Sequence, residues 1–125
     1  MEKTLPHVAG NYRIFCGNRL ILSRCDFRPS FWFRARGLLG RGAVEDGEGI
    51  LISPCNSVHM LFMSFPIDVL FLDPGCRVLR LCAELRPWRF SPIVWKASAV
   101  LEIGAGATKA KNIQAGDRLR FQLIE

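Results

Sequence analysis

The apolar positions of this chain come in short runs of at most four residues, cut by polar and turn residues rather than spaced at helical intervals. The segments "NYRIFC" and "RLILSRCDF" flank Gly17-Asn18, a two-residue hairpin signal, and predict a β-hairpin over 11–27. In "RLILSR" the apolar Leu20 and Leu22 alternate with an equally apolar Ile21, which predicts a strand apolar on both faces. "GILIS" follows a Gly- and acid-rich loop over 45–49. "IDVLFLD" is rich in β-formers and runs into Asp73-Pro74-Gly75, a tight turn, before "CRVLRLCAELR" sets Val78, Leu79 and Leu81 against Arg77 and Arg80. "AVLEI" stops at Gly104. "GDRLRFQLIE" places Leu119, Phe121 and Leu123 on one face and Arg118, Arg120 and Gln122 on the other.

Helical signals are fewer. Ser30 can cap "FWFRARGLLG", with Gly40 or Gly42 as its stop, and a short helical turn is predicted over 108–112 before a turn at 114–116. The pattern predicts a mainly β chain: one compact domain over 1–125, an antiparallel, barrel-like sheet with one or two short helices, its edges closed or covered. At 125 residues, half of them apolar and with nine Phe and three Trp, the chain can bury one core without staples.

Charge and cysteine content narrow the function classes. The net charge of +6 comes mostly from Arg dispersed along the chain, which supports at most a weak attraction to polyanions. No helix-turn-helix, finger or aromatic RNA-binding signature is present, so nucleic acid is an unlikely partner. The five Cys (Cys16, Cys25, Cys55, Cys76, Cys82) are odd in number and none forms C-x-x-C. They read as reduced, mostly buried thiols rather than a disulfide framework or zinc knuckle. Gly104-Ala105-Gly106-Ala107 lacks the order of a dinucleotide fingerprint, so no cofactor is expected. No apolar run reaches spanning length and the first residues lack a signal-peptide core, which leaves a cytoplasmic location as the expectation.

The stretch "CNSVHMLFMSFPIDVLFLD" over 55–73 carries the candidate chemistry, because it sets ionisable groups inside an apolar run. His59 and Asp68 can form a pair in which the carboxylate fixes the imidazole tautomer, with Met63 on the same face; otherwise His59 is a core residue and Asp68 a turn cap or an Arg partner. Cys55-Asn56 with His59 holds the ingredients of nucleophilic catalysis or, with Met60 or Met63, of a soft-metal site. The lone C-x-x-x-H spacing gives a structural metal no second ligand pair, so no metal is expected, and "PCNS" reads first as a turn. "RPWR" over 86–89 can clamp an anion between Arg86 and Arg89, or pair with Glu84 and Glu102. Arg36 and Arg41 beside Glu45, Asp46 and Glu48 read as an interface or a solvated patch.

The order "RARGLLGR" (34–41), the acid- and Gly-rich loop, "GILISPCNSVHMLFMSFPIDVLFLD", "LRPWR" and "VLEIGAGATKAKNIQAGDRLRF" resembles the domain-of-unknown-function family 192, over about 34–121. The match is nearest to a His-containing branch, through His59, Met60, Met63, Pro66, Ile67 and Asp68. Many members carry Thr after the His and Arg after the second Met, where this chain has Met60 and Ser64. Any site built on that Thr-Arg pair is altered here. The resemblance implies a compact β-rich, barrel-like domain and, from its genomic neighbours, a setting near pilus or secretion genes; it implies no chemistry. The leading expectation is a non-enzymatic domain binding a small polar or anionic ligand, or a protein partner, through His59, Asp68, Met63, Arg86, Arg89 and Asn56. The rivals are a hydrolase or transferase with a His-Asp or Cys-His site, and a weak polyanion or nucleic-acid binder.

Overall fold

The computed structural model describes residues 4–27, 44–58, 60 and 64–125. Seven strands among them form one sheet: β1 (Gly10–Cys16), β2 (Arg19–Phe27), β3 (Glu48–Ile52), β4 (Ile67–Leu72), β5 (Val78–Leu85), β6 (Ala99–Gly104) and β7 (Leu119–Leu123). The helix α1 (Ala107–Ala110) lies between β6 and β7. The spatial order is β5-β4-β6-β3-β2-β1-β7. Both predicted hairpins form: β1 pairs antiparallel with β2 across Gly17-Asn18, and β4 with β5 across Asp73-Pro74-Gly75. At the second turn Asp73 Oδ1 accepts hydrogen bonds from the backbone N–H groups of Gly75 and Arg77, both at 2.9 Å, as an Asx turn requires. The helical turn expected over 108–112 is present as α1, while the helix expected from Ser30 falls outside the described residues.

The mainly β, antiparallel architecture expected from the sequence is present, and two details refine it. β2 and β3 run parallel, with Cys25 opposite Gly49 and Phe27 opposite Leu51, because a long connection rather than a hairpin joins them. The sheet also curls without closing. Its edge strands meet at one end only, at the Arg77–Arg118 bridge, with Val78 N–H donating to the Asp117 carbonyl (2.8 Å) and Leu119 N–H to that of Cys76 (2.9 Å).

The curl buries one core from both ends of the sheet, including Ile14, Leu22, Leu51, Leu70, Leu101 and Leu119. A second apolar layer lies on the opposite face of β3, β4 and β6, built on Ile50, Ile52, Val69, Phe71 and Val100 and covered by Met60, Val58, Phe65, Val94 and Ala97. These three strands are therefore buried on both faces, the reason their sequences read as near-continuous apolar runs rather than alternations. In β2, Ile21 and Leu22 are both buried but Leu20 is exposed, because the register against β1 slips beside Ile14.

Gly49 stands where β3 passes closest to its neighbours: a Cβ there would lie 3.0 Å from the Glu102 carbonyl oxygen, Ile103 Cγ2 and Leu22 Cδ1. Gly49→Ala is expected to cost about 1–3 kcal/mol by overpacking. Urea unfolding checks it, and an unchanged midpoint refutes the close packing.

Candidate functional site

Asp68 is the most enclosed of the expected site residues. It sits within β4, fully buried, and both carboxylate oxygens are occupied. Oδ1 accepts from Glu84 N–H (2.8 Å) and Gly106 N–H (3.0 Å), and Oδ2 from Thr108 N–H (2.9 Å) and the Thr108 hydroxyl (2.7 Å). Four donors fill the four acceptor positions of a carboxylate, so no lone pair is left for an imidazole. The group ties β4 to the end of β5 and to the start of α1. Its short side chain reaches these donors because Gly106, at φ +86°, turns the chain back over the sheet end.

Asn56 and Cys55 line a shallow cleft of 420 Å³ with Pro54, Ser57, Ala97 and Ser98, entered through a cis Ser53–Pro54 bond. The Cys55 thiol donates to the Ser57 carbonyl at 3.0 Å. His59 and Met63, and with them the His-Asp, Cys-His and soft-metal arrangements, lie outside the described residues. Met60 is buried in the second apolar layer, while Ser64 is exposed. None of the five cysteines forms a disulfide. Burial pushes Cys76 up to about 12 and raises Cys25 and Cys82 as well, which keeps these three protonated and unreactive at neutral pH.

Arg86 and Arg89 are exposed, and among the described residues neither guanidinium makes a hydrogen bond or ion pair; Glu84 and Glu102 are not their partners. The loop that carries them is held firmly. Trp88 N–H donates to the Met60 carbonyl and Met60 N–H to that of Arg89 (both 2.7 Å), Ser91 N–H to Val58 and Val94 N–H to Asn56 (both 2.9 Å). The Ser91 hydroxyl accepts from Val58 N–H at 2.8 Å. Val94 and Ala97 pack into the second apolar layer, and Ser91 is buried with its hydroxyl on Val58. Around them Trp88 (58%), Phe90 (68%), Ile93 (51%) and Trp95 (80%) remain exposed.

Two features take on a role that the sequence did not suggest. One is this aromatic set, of which only "RPWR" drew notice. The signal was Trp, Phe, Ile and Trp interleaved with Pro87 and Pro92, a spacing that builds neither strand nor helix. The other is Glu102, the single acid of "AVLEI". It lies between Ile50 and Val69 in the register, is 7% exposed, and among the described residues has no hydrogen-bond or ion-pair partner. Loss of solvation pushes its carboxyl up from 4.5 to about 7.

Two measurements follow from these carboxyls. Asp68→Asn puts an NH₂ donor against chain donors and is expected to cost roughly 2–4 kcal/mol, read by denaturant unfolding; a neutral change would mean that the four-donor clamp is not formed. For Glu102 the folded state holds its proton more tightly than the unfolded chain. The penalty for ionising it in the folded state is then absent below pH 4.5. Stability falls as pH rises from 4.5 to about 7, by roughly 3 kcal/mol in all. Glu102→Gln should remove that slope from the pH–stability curve; a slope that survives the substitution belongs to another group.

Comparison with known proteins places these features in a wider set. Residues 23–121 match the model of DUF192, described as an uncharacterized ACR. A UPF0127 protein from Thermococcus sibiricus is 36% identical over 107 residues, covering 82% of this chain and 68% of that protein. A second UPF0127 protein, from Pyrococcus furiosus, is 40% identical over 65 residues, 52% of this chain and 55% of its own length. A crystal structure of a protein of unknown function from Novosphingobium aromaticivorans superposes with a TM-score of 0.77 at 23% identity, covering 88% of this chain and 83% of that one. That last likeness is one of fold alone.

Proposed function

We propose a binding role for this chain, which belongs to the DUF192 family of uncharacterized proteins. The reading is a non-enzymatic domain that engages an anionic partner through the 86–96 loop. One observation carries it: Arg86 and Arg89, without partners among the described residues, alternate with exposed Trp88, Phe90, Ile93 and Trp95 on a loop tied down by backbone hydrogen bonds. Exposed large apolar side chains are costly to keep in water, and a contiguous set of them marks an interaction surface. Arg and Trp are also the side chains that contribute most at such surfaces. A preorganised loop spends little ordering entropy on binding.

The catalytic alternative has less support, because the acceptor positions of Asp68 are filled by Glu84, Gly106 and Thr108. A bare polyanion binder would need charge alone, whereas here the charges are mixed with apolar groups. The setting beside pilus or secretion machinery rests on the family resemblance only, and an accessory binding domain is compatible with it.

Retention on a sulfated-polymer column tests the reading. The protein should be retained at low salt, and Arg86→Gln with Arg89→Gln should elute at clearly lower salt. Equal elution of the two forms would put the anion-binding surface elsewhere.

A further inference from the structure

The binding reading leaves open which anionic surface the 86–96 loop meets, and the chemistry of its side chains separates the choices. Positive charge stands along the whole loop: Arg86 and Arg89 flank Trp88, and Lys96 follows Trp95, all three exposed. No acid occurs between Glu84 and Glu102. The partner is therefore negative along its whole contact and not a mosaic of both signs.

The apolar side chains narrow it further. A single-stranded nucleic acid needs flat platforms on which bases stack, and Ile93 offers none. Two Trp, a Phe and an Ile in one short loop match instead the composition of interfacial membrane anchors, where indole rings settle at the headgroup level and aliphatic groups reach the acyl boundary. The backbone sets the direction of these groups. Val94 and Ala97 pack into the second apolar layer and Ser91 is buried against Val58, so Phe90, Ile93 and Trp95 stand outward as prongs, the most exposed of them 80% accessible. Prongs of this kind suit a soft surface that they can enter. Among the described residues no helix is long and apolar enough to cross a membrane, so contact through this loop would be peripheral.

We infer that the loop carrying Arg86, Trp88, Arg89, Phe90, Ile93, Trp95 and Lys96 docks the protein on an anionic lipid surface, its apolar prongs entering the headgroup layer and its basic residues facing lipid phosphates. This inference rests on the binding reading above and names its partner. Basic residues bring the loop to the surface, and the effect fades with salt. The prongs hold it there, and theirs does not.

Co-sedimentation with phosphatidylcholine vesicles, and with vesicles of equal phosphatidylcholine and phosphatidylglycerol, tests it, with quenching of tryptophan emission by bromine-labelled acyl chains as a second readout. The protein should bind the mixed vesicles, ignore the neutral ones, and be quenched. Arg86→Gln, Arg89→Gln and Lys96→Gln should each weaken low-salt binding about fivefold. Phe90→Ala with Trp95→Ala, both at exposed positions that leave the core intact, should abolish the binding that survives high salt. Absence of binding to the mixed vesicles, or unchanged binding by the Phe90→Ala/Trp95→Ala variant, overturns the lipid assignment. If vesicle binding fails while arginine-dependent retention on the sulfated polymer persists, the lipid inference alone falls; if both fail, the binding reading falls with it.

Discussion

The fold depends on a buried carboxylate. Asp68 stands in the strand next to one sheet edge and gathers backbone and hydroxyl donors from two separate stretches of chain: β5 at Glu84, and the turn into α1 at Gly106 and Thr108. Each of these donors would otherwise be an unpaired polar group at the end of the sheet, where water is largely excluded. Pairing all of them with one side chain lets β4 be buried along its full length. It also anchors the return of the chain from β6 toward β7, the strand that completes the curl. An acid in an apolar strand is thus explained by architecture, and chemistry need not be invoked for it.

Glu102 makes the contrasting case. It too is an acid in a strand buried on both faces, one strand over, but no described donor meets it. The same desolvation that Asp68 offsets with hydrogen bonds appears at Glu102 as a proton held near neutrality. Two carboxyls in adjacent strands therefore differ in role because of which groups the turns bring to them. The second apolar layer above Glu102 also carries the loop with the exposed aromatic residues, since Val94 and Ala97 pack into that layer while their neighbours face outward. The face of the sheet that holds this desolvated acid is the face that supports the proposed binding surface.

Much of this was legible in the chain before any coordinates. Strand positions followed from short apolar runs between turn residues, and the two hairpins from Gly17-Asn18 and Asp73-Pro74-Gly75, because those turns need particular backbone angles that few residues accept. The mainly β class and the family resemblance were equally readable, the latter through an ordered series of motifs spread over most of the chain. The aromatic loop was present in the composition but indistinct, since Trp and Phe in a sequence read first as core.

What the sequence by itself determined is the local layer: which segments extend, where they turn, and that one core exists, all consequences of side-chain patterning and turn stereochemistry. Only the tertiary structure decided the parallel pairing of β2 with β3, the curl that stops short of a closed barrel, and the separation of Asp68 from Glu102 as a hydrogen-bonded and a desolvated acid. It alone also turned Trp88, Phe90, Ile93 and Trp95 to the outside. The physical reason is common to all of these. Hydrogen-bond satisfaction and exposure are set by groups distant in sequence, such as Thr108 on Asp68 or Met60 beneath the 86–96 loop, and no local pattern encodes which distant donor or carbonyl will arrive.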